Sequence, residues 1–429
     1  MKPAWLMLAG AWAAAVPLFA SAEEAAAAPV PGSPEFQLDT TARADAFHAT
    51  HDPVGPTDTL VWTAQVKALA KFGSDTSAKL EVRGSTPSSD GRDDTQGIES
   101  RVLEAFVAHH FAHADLRIGK QIMAWGRADG INPTDNLSPR DFVTWLPFED
   151  DQRFGVWSAR YDMHLKNALD LTLFFSPRFE PSVIAKPELP NPVLSPTPAR
   201  NAANSQLAVK LNRSTETLDW SVSYYRGLSL LPTARLLGMN AQGPQLEFHH
   251  DRVQVLGADV ARNFGRFGFR AEAAWTQPGR ADDGAPATRR PDLYVVAGLD
   301  RSFFEHLYVN AQLFGRCVQG FTDPYAITDP AQRAVAIQNA TTEGQQDRVS
   351  LGYTLRVSHK WLDDTLEAEL LLIDNRTRNN RFMRPVLSYA VNDRLKALLG
   401  AVVYQGADDT VFGRKKPNNR VFIELRYAL

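Results

Sequence analysis

Residues 60–72, Leu-Val-Trp-Thr-Ala-Gln-Val-Lys-Ala-Leu-Ala-Lys-Phe, place an apolar side chain at every even position, with Thr63, Gln65, Lys67 and Lys71 between them. A period of two sends successive side chains to opposite faces of a strand, so this segment has one apolar and one polar face. It is also long. Strands of soluble sheets centre on about 5–6 residues, whereas a tilted membrane-spanning strand needs about 9–11. The same form recurs at Leu207-Val209-Leu211, Leu218-Trp220-Val222-Tyr224, Phe267-Phe269-Ala271-Ala273-Trp275, Val349-Leu351-Tyr353-Leu355-Val357 and Leu395-Ala397-Leu399-Ala401-Val403.

Taken along the whole chain, the pattern predicts strands near 36–48, 59–72, 78–85, 99–111, 116–124, 154–163, 168–176, 205–212, 217–226, 253–262, 266–276, 293–300, 305–317, 347–358, 365–374, 382–390, 394–404 and 420–429. Short links such as Gly73–Ser77, Ala112–Asp115 and Asn263–Gly265 follow even-numbered strands, and long ones such as 125–153, 177–204, 227–252 and 318–346 follow odd-numbered strands. That alternation is the signature of an antiparallel up-and-down transmembrane β-barrel with tight periplasmic turns and long outer loops. The expected fold is all-β with about 18 strands, 16 being the alternative count. Val421, Ile423, Leu425, Tyr427 and Leu429 alternate to the last residue. This resembles the terminal-strand signal read by barrel assembly machinery, with Tyr427 and Leu429 as its key positions. Such signals usually end in Phe or Trp, and this one ends in Leu. The competing reading is an edge strand of a soluble sandwich, which leaves the strand lengths and loop alternation unexplained.

Composition alone conceals this. The 429 residues are 44% hydrophobic and 22% charged, with 46 Lys+Arg against 49 Asp+Glu. There is no basic excess for a nucleic-acid partner, and a single cysteine, Cys317, excludes a disulfide framework or a Cys-rich metal site. No metal site and no cofactor are expected. A barrel with an apolar outside and a polar lumen averages to a soluble-looking composition, and closure pairs every backbone group within the lipid.

Residues 1–22 have a secretory layout: Lys2, an apolar stretch from Trp5 to Phe19, then Ala20-Ser21-Ala22 before Glu23-Glu24. Cleavage near Ala22 would leave a flexible Ala/Pro-rich leader at 23–35 and one barrel domain at 36–429, targeted to a Gram-negative outer membrane. The alternative is an N-terminal anchor, which Pro17 interrupts. The leader is too short to form a separate plug domain, which argues against energy-coupled uptake. Trp62, Trp157, Trp220 and Trp275, with Tyr161 and Tyr224, share the apolar parity near strand ends, as interfacial girdles would.

The loop 125–153 is expected to carry specificity. Pro133, Pro139 and Pro147 stiffen it, Ile131, Leu137, Phe142, Trp145, Leu146 and Phe148 offer surface to bury, and Arg127, Asp129, Asp135, Arg140, Asp141, Glu149, Asp150, Asp151 and Arg153 crowd it with charge. Long structured loops are usually functional. It either folds into the lumen and narrows it or packs on the rim. Arg117, Gln121, Trp125, Arg127, Asp129, Asn132, Asp135, Arg140, Asp141 and Arg153 are the candidate constriction residues.

The run Leu-Arg-Ile-Gly-Lys-Gln-Ile-Met-Ala-Trp-Gly at 116–126, followed by Ile-Asn-Pro-Thr-Asp at 131–135, resembles the signature of a family of proteobacterial porin-like outer-membrane proteins of largely unassigned function. The resemblance covers about 20 residues and singles out Gly119, Lys120, Gln121, Trp125, Gly126, Asn132, Pro133 and Asp135. It implies a barrel and leaves the solute open, between hydrophobic or aromatic compounds and a role in export. Alternation puts Lys120 on the face of Leu116 and Ile118, where a mid-bilayer lysine costs about 2–4 kcal/mol. Either the face is reversed there or a bulge intervenes.

The polar strand positions carry 14 basic residues, Lys79, Arg83, Arg270 and Arg356 among them, against 8 acidic, including Glu81, Glu272 and Glu369. An anion-preferring lumen is one reading; walls cross-braced by opposite charges, Lys79 with the neighbours of Glu81 and Arg270 with those of Glu272, are the other. Catalysis is not indicated. His109 and His113 share a strand face but lie about 13 Å apart, no Ser/His/acid set assembles, and Asp150-Asp151 or Asp363-Asp364 lack a calcium-loop spacing. The leading reading is a passive channel for a small solute, embedded in outer-membrane lipid. A barrel serving lipid, hydrophobic-compound or polysaccharide export and a plugged structural or receptor barrel are the alternatives.

Overall fold

The computed structural model describes residues 34–50, 57–86, 99–144, 147–184, 191, 193–279 and 288–429. The expected signal peptide, the leader up to residue 33, Trp145 and Leu146 lie outside the described residues. Nine strands come first: β1 (Glu35–Ala49), β2 (Asp58–Phe72), β3 (Thr76–Ser85), β4 (Glu99–Phe111), β5 (Ala114–Gln121), β6 (Val156–Leu165), β7 (Leu169–Ser176), β8 (Gln206–Ser214) and β9 (Asp219–Leu228). A separate hairpin, β10 (Thr233–Asn240) and β11 (Gly243–His249), follows. Then come β12 (Arg252–Phe264), β13 (Phe267–Pro278), β14 (Asp292–Phe303), β15 (Leu307–Val318), β16 (Val349–Trp361), β17 (Leu366–Asn375), β18 (Asn380–Ala390), β19 (Leu395–Gln405) and β20 (Arg420–Ala428).

Eighteen of these strands form one antiparallel sheet, each paired with its neighbours in order, β9 joining β12 across the hairpin. β20 pairs back onto β1, with Arg43 opposite Arg426 and Asp45 opposite Glu424, so the sheet closes on itself. A closed barrel leaves no edge strand and no unpaired ladder. The count of 18 is the expected one, and every strand overlaps its predicted segment.

Side chains divide as parity requires. On β15, Leu313 is 71% exposed while Phe314 is 8% exposed; on β12, Leu256 is 58% and Val255 is 4%. Large apolar side chains therefore face outward around the wall, Ile118, Trp157, Val222, Leu299 and Leu399 among them. An exposed apolar surface this extensive needs an apolar surrounding. No helix among the described residues is long and apolar enough to cross a membrane.

Two features depart from the predicted organisation. The outer connection after β17 is only 376–379, a four-residue turn rather than a long loop. The chain is also not purely β. After the four-residue α1 (Glu149–Gln152), a 14-residue helix, α2 (Pro330–Glu343), stands in the β15–β16 loop. Asp329 caps its start, accepting from Gln332 N at 2.7 Å, Pro330 takes the first turn, and Gly344 ends it at φ 67°. α2 packs on the β10–β11 hairpin: Asn339 Oδ1 accepts from Ala234 N and its Nδ2 donates to Ala234 O, both at 2.8 Å, beside Val335, Ala234 and Phe248. Together they form a cap on the side of the long loops.

Candidate functional site

The 122–155 loop enters the barrel and is tied to walls on opposite sides of the lumen. Its departure is set by Glu104, whose carboxylate accepts from Ile122 N at 2.8 Å, and by Ser138, whose hydroxyl accepts from Met123 N at 2.6 Å. Just before it, Gly119 lies at φ 138°, with its Cα face against Ala105 O and Phe106; a Cβ there would sit 2.3 Å from that oxygen.

One footing is apolar. Met123, Trp125 and Leu137 bury against inward-facing Val156, Phe174, Ala208, Tyr225, Val253, Val255 and Ala274. These wall positions run from β6 to β13, so this sector of the lumen has an apolar lining covered by the loop. At its far edge Glu272 of β13 gathers the backbone: its carboxylate accepts from Arg127 N (3.0 Å), Ala128 N (3.2 Å), Thr134 N (2.6 Å) and Thr134 Oγ1 (2.8 Å). Gly126, at φ 98°, makes room for this knot; a Cβ would meet both Glu272 and Asn132 Oδ1 at 2.5 Å. Arg127 continues along the wall, bonding Asp259 of β12 at 2.5 Å and Asn212 of β8 at 2.7 Å.

The other footing is ionic. Asp129 receives Arg356 Nε at 2.7 Å, and Arg356 also holds Glu369 at 2.9 Å. Arg384, nearly fully buried, donates to Pro147 O at 2.8 Å and lies over Phe148. On the neighbouring wall Arg43 bonds Asp151 at 2.7 Å, and Arg83 donates to Asp151 O at 2.5 Å. Arg101 reaches Asp141 at 3.0 Å.

Within the loop, Asp135 accepts from Arg140 at 2.8 Å and Arg153 at 2.6 Å, while Asp141 caps Val143 N and Thr144 N at 2.9 Å. Burial would lower the Arg153 pKa, but Asp135 and then Asp150 outweigh it and hold the guanidinium above its usual value. On its outer side the loop bounds a vestibule of about 350 Å³, walled by Asn132, Asp135, Arg140, Phe142, Tyr225, Arg289, Arg316 and Glu343.

The candidate constriction residues thus divide. Arg127, Asp129, Asp135, Arg140, Asp141 and Arg153 are brought together in the strap. Trp125 is a core residue beneath it. Gln121 is buried, donating to Arg117 O and Ser158 O at 3.4 and 3.2 Å. Arg117 lies apart on the wall, its guanidinium over Phe106 at 4.8 Å. Lys120 keeps its outward parity, opposite Ala105 and Trp157, but as the last residue but one of β5 it reaches Glu180 at 3.3 Å in the next outer loop. The face is not reversed, and the ion pair at the rim accounts for the charge.

The wall charges are mostly braced: Lys79 with Glu81 and Glu104, Arg160 with Asp162, Lys210 with Asp259. Arg270 is braced by Asp300 on the adjacent strand at 3.5 Å, while Glu272 is committed to the loop. The paired acids are also engaged, Asp151 by two arginines and Asp364 by His306 at 3.4 Å. Among the described residues no group of three or more His, Cys, Asp or Glu side chains is arranged to hold a metal. The residues missed from sequence are the receiving ones on distant strands: Arg43, Asp259, Arg356, Arg384 and Glu272 as anchor. Polar parity marks Arg356 and Glu272 as inward, but nothing local ties any of the five to this loop.

Solved outer-membrane proteins share the architecture. OccAB4 of Acinetobacter baumannii aligns over 92% of this chain and 98% of its own, at 10% identity and TM-score 0.55. OpdK of Pseudomonas aeruginosa gives the same figures, and OccAB1 of Acinetobacter baumannii aligns at 9% identity, 92% and 96% coverage and TM-score 0.56. At such identities the likeness is one of fold. No curated protein matches the sequence. A family model described as a protein of unknown function, DUF1302, matches residues 51–428, nearly the whole barrel, and the chain belongs to that family.

Proposed function

We propose that this protein is an outer-membrane channel for small solutes, narrowed by the 122–155 loop. The observation that carries it is the strap itself: a closed 18-stranded barrel whose loop is bonded to Glu272 of β13 on one side and to Arg43 of β1 roughly across the lumen, beneath an outward-opening vestibule. A loop on the rim would leave the barrel wide; one tied across the lumen sets a fixed, charged aperture. The apolar outer wall meets outer-membrane lipid, the N-terminal 22 residues direct export, and the terminal strand through Tyr427 and Leu429 is read by the assembly machinery. The fold shared with OccAB4 and OpdK agrees with this reading.

A second reading is a barrel closed at rest, in export or as a receptor, and the apolar footing favours it, since it fills a whole sector of the lumen. Conductance of the purified protein in planar bilayers separates the two. Open steps from the intact protein are expected, with a larger step when 128–150 is deleted. Silence of the intact protein together with conduction by the deletion overturns the open channel in favour of the closed barrel.

A further inference from the structure

Two arginines stand on the lipid-facing side of the wall. On β12 the inward positions are Val253, Val255 and Asp259, which puts Arg262 on the outward parity. On β14 Asp292 and Val296 face inward, which puts Arg301 outward. Both lie in the last turn-ward residues of their strands, at the short-link end of the barrel that is periplasmic.

Each guanidinium lies over rings of the same outer belt. That of Arg301 is 4.7 Å from the ring centre of Phe267 on β13 and 4.5 Å from that of Phe303. That of Arg262 is 4.8 Å from Phe264, which meets Phe269 edge-on at 6.3 Å. Neither arginine has a protein acceptor. Among the described residues no hydrogen bond or ion pair joins Arg262 or Arg301, and Arg301 Nε is buried without an acceptor. Asp300, next to Arg301 in the chain, faces the lumen and pairs with Arg270. The outward Lys120, at the opposite rim, does have its carboxylate, Glu180.

An arginine on the lipid face is costly at mid-bilayer and nearly free at headgroup depth. There its planar fork meets phosphate oxygens, which it can hold two at a time. Rings against the guanidinium fix its position and leave its N–H edge open to an acceptor. Toward mid-bilayer the next outward positions are small: Ala271 is opposite Ala297 and Ala258 opposite Ala273, between Leu299 and Leu256. An acyl chain can lie close against that alanine shelf, directly above the arginines.

We propose that Arg262 and Arg301, with Phe264, Phe267 and Phe303, form an outer-wall site for an anionic phospholipid of the periplasmic leaflet. The phosphodiester takes the Arg301 fork, and an acyl chain lies on the alanine shelf. Arg262, two strands away and about 10 Å across the sheet, adds a second positive charge. That charge selects a net-negative headgroup over a zwitterionic one, whose own ammonium it repels. The site is on the lipid face, so it stands whether or not the lumen conducts.

The test is native mass spectrometry of the full-length, detergent-purified barrel titrated with phosphatidylglycerol and with phosphatidylcholine of the same acyl chains. Phosphatidylglycerol is expected to bind at least about fivefold more tightly than phosphatidylcholine. Arg301→Met is expected to weaken phosphatidylglycerol by about tenfold and Arg262→Met by about threefold, with Arg301→Lys between the two. Arg213→Met, on the exposed outward rim of β8, is the control and should change nothing. Heat-shifted gel migration confirms that each variant is a folded barrel. Equal binding of the two lipids, phosphatidylglycerol binding unchanged by Arg301→Met, or a loss on Arg213→Met as large as that on Arg301→Met overturns the site.

Discussion

The two footings of the 122–155 loop hold the same backbone by opposite means. Toward β6–β13, Met123, Trp125 and Leu137 are packed into an apolar lining, and Glu272 gathers three backbone amides and a hydroxyl. Toward β16–β18 and β1–β4 the contacts are ionic: Asp129 with Arg356, Asp151 with Arg43, and Asp141 with Arg101. Apolar burial is insensitive to salt and has no preferred direction, whereas partly hydrated ion pairs are directional and weaken as salt rises. The first footing therefore makes the strap permanent, and the second positions its charged edge and is the side free to adjust.

Four experiments test that contrast. The largest effect is expected from Glu272→Ala, which leaves three amides and the Thr134 hydroxyl without their acceptor, a cost of about 3–6 kcal/mol. The strap should detach at its apex, seen as a larger conductance step and as new proteolytic cleavage within 126–136; an unchanged protease pattern would refute the knot. Trp125→Ala should follow closely, at about 3–5 kcal/mol. It should loosen the strap equally at low and high salt, and a strong salt dependence would mean that the apolar footing is not what holds it.

Arg43→Met should cost less, about 1–3 kcal/mol, because Asp151 retains Arg83 and Glu424 retains Arg426. Its signature is current noise that resembles the unmodified protein at high salt. Noise independent of salt in the unmodified barrel would count against an adjustable ionic side.

The smallest effect concerns the cap. Burial would raise the Asp251 pKa, but bonds from His249 and Thr233 outweigh it and hold the carboxyl below its usual value; the bond to Asp251 in turn raises His249. A depressed acid stabilises above its unfolded pKa and fails as pH falls through the folded one. A raised histidine stabilises below its unfolded pKa and fails as pH rises through the folded one. Their joint contribution is therefore fullest between about pH 4 and 6.5. Hydrogen-exchange protection of β10–β11, corrected for intrinsic rates, should decline from pH 6 to pH 9 while that of the 122–137 segment does not. Equal changes in both would dissolve the distinction between cap and strap.

How much of this was legible follows from locality. Period-two alternation at Leu60–Phe72 and its repeats reports which face meets lipid, a property each strand carries by itself, so strand number and parity could be read directly. Helix α2 was missed although Asp329-Pro330 and Gly344 mark its ends, because the segment between them has no strong apolar stripe. The hairpin was hidden in a loop whose Asn240–Gly243 turn stood in plain view. The strap's charges could be found from composition, and their partners could not: Asp129 and Arg356 are 227 residues apart, Arg43 and Asp151 are 108 apart. No spacing rule reaches that far.

The wall is written in the residues strand by strand: apolar and polar faces alternating at a period that only a strand satisfies, in segments long enough to cross lipid, repeated an even number of times. The interior is set by folding in three dimensions. Closing the sheet brings β13, β16 and β1 around one lumen, and that closure turns Glu272 from one wall charge among many into the anchor of the strap. Faces are set by local backbone geometry, which a sequence carries; partners across a lumen are set by where the barrel closes, which no single strand records.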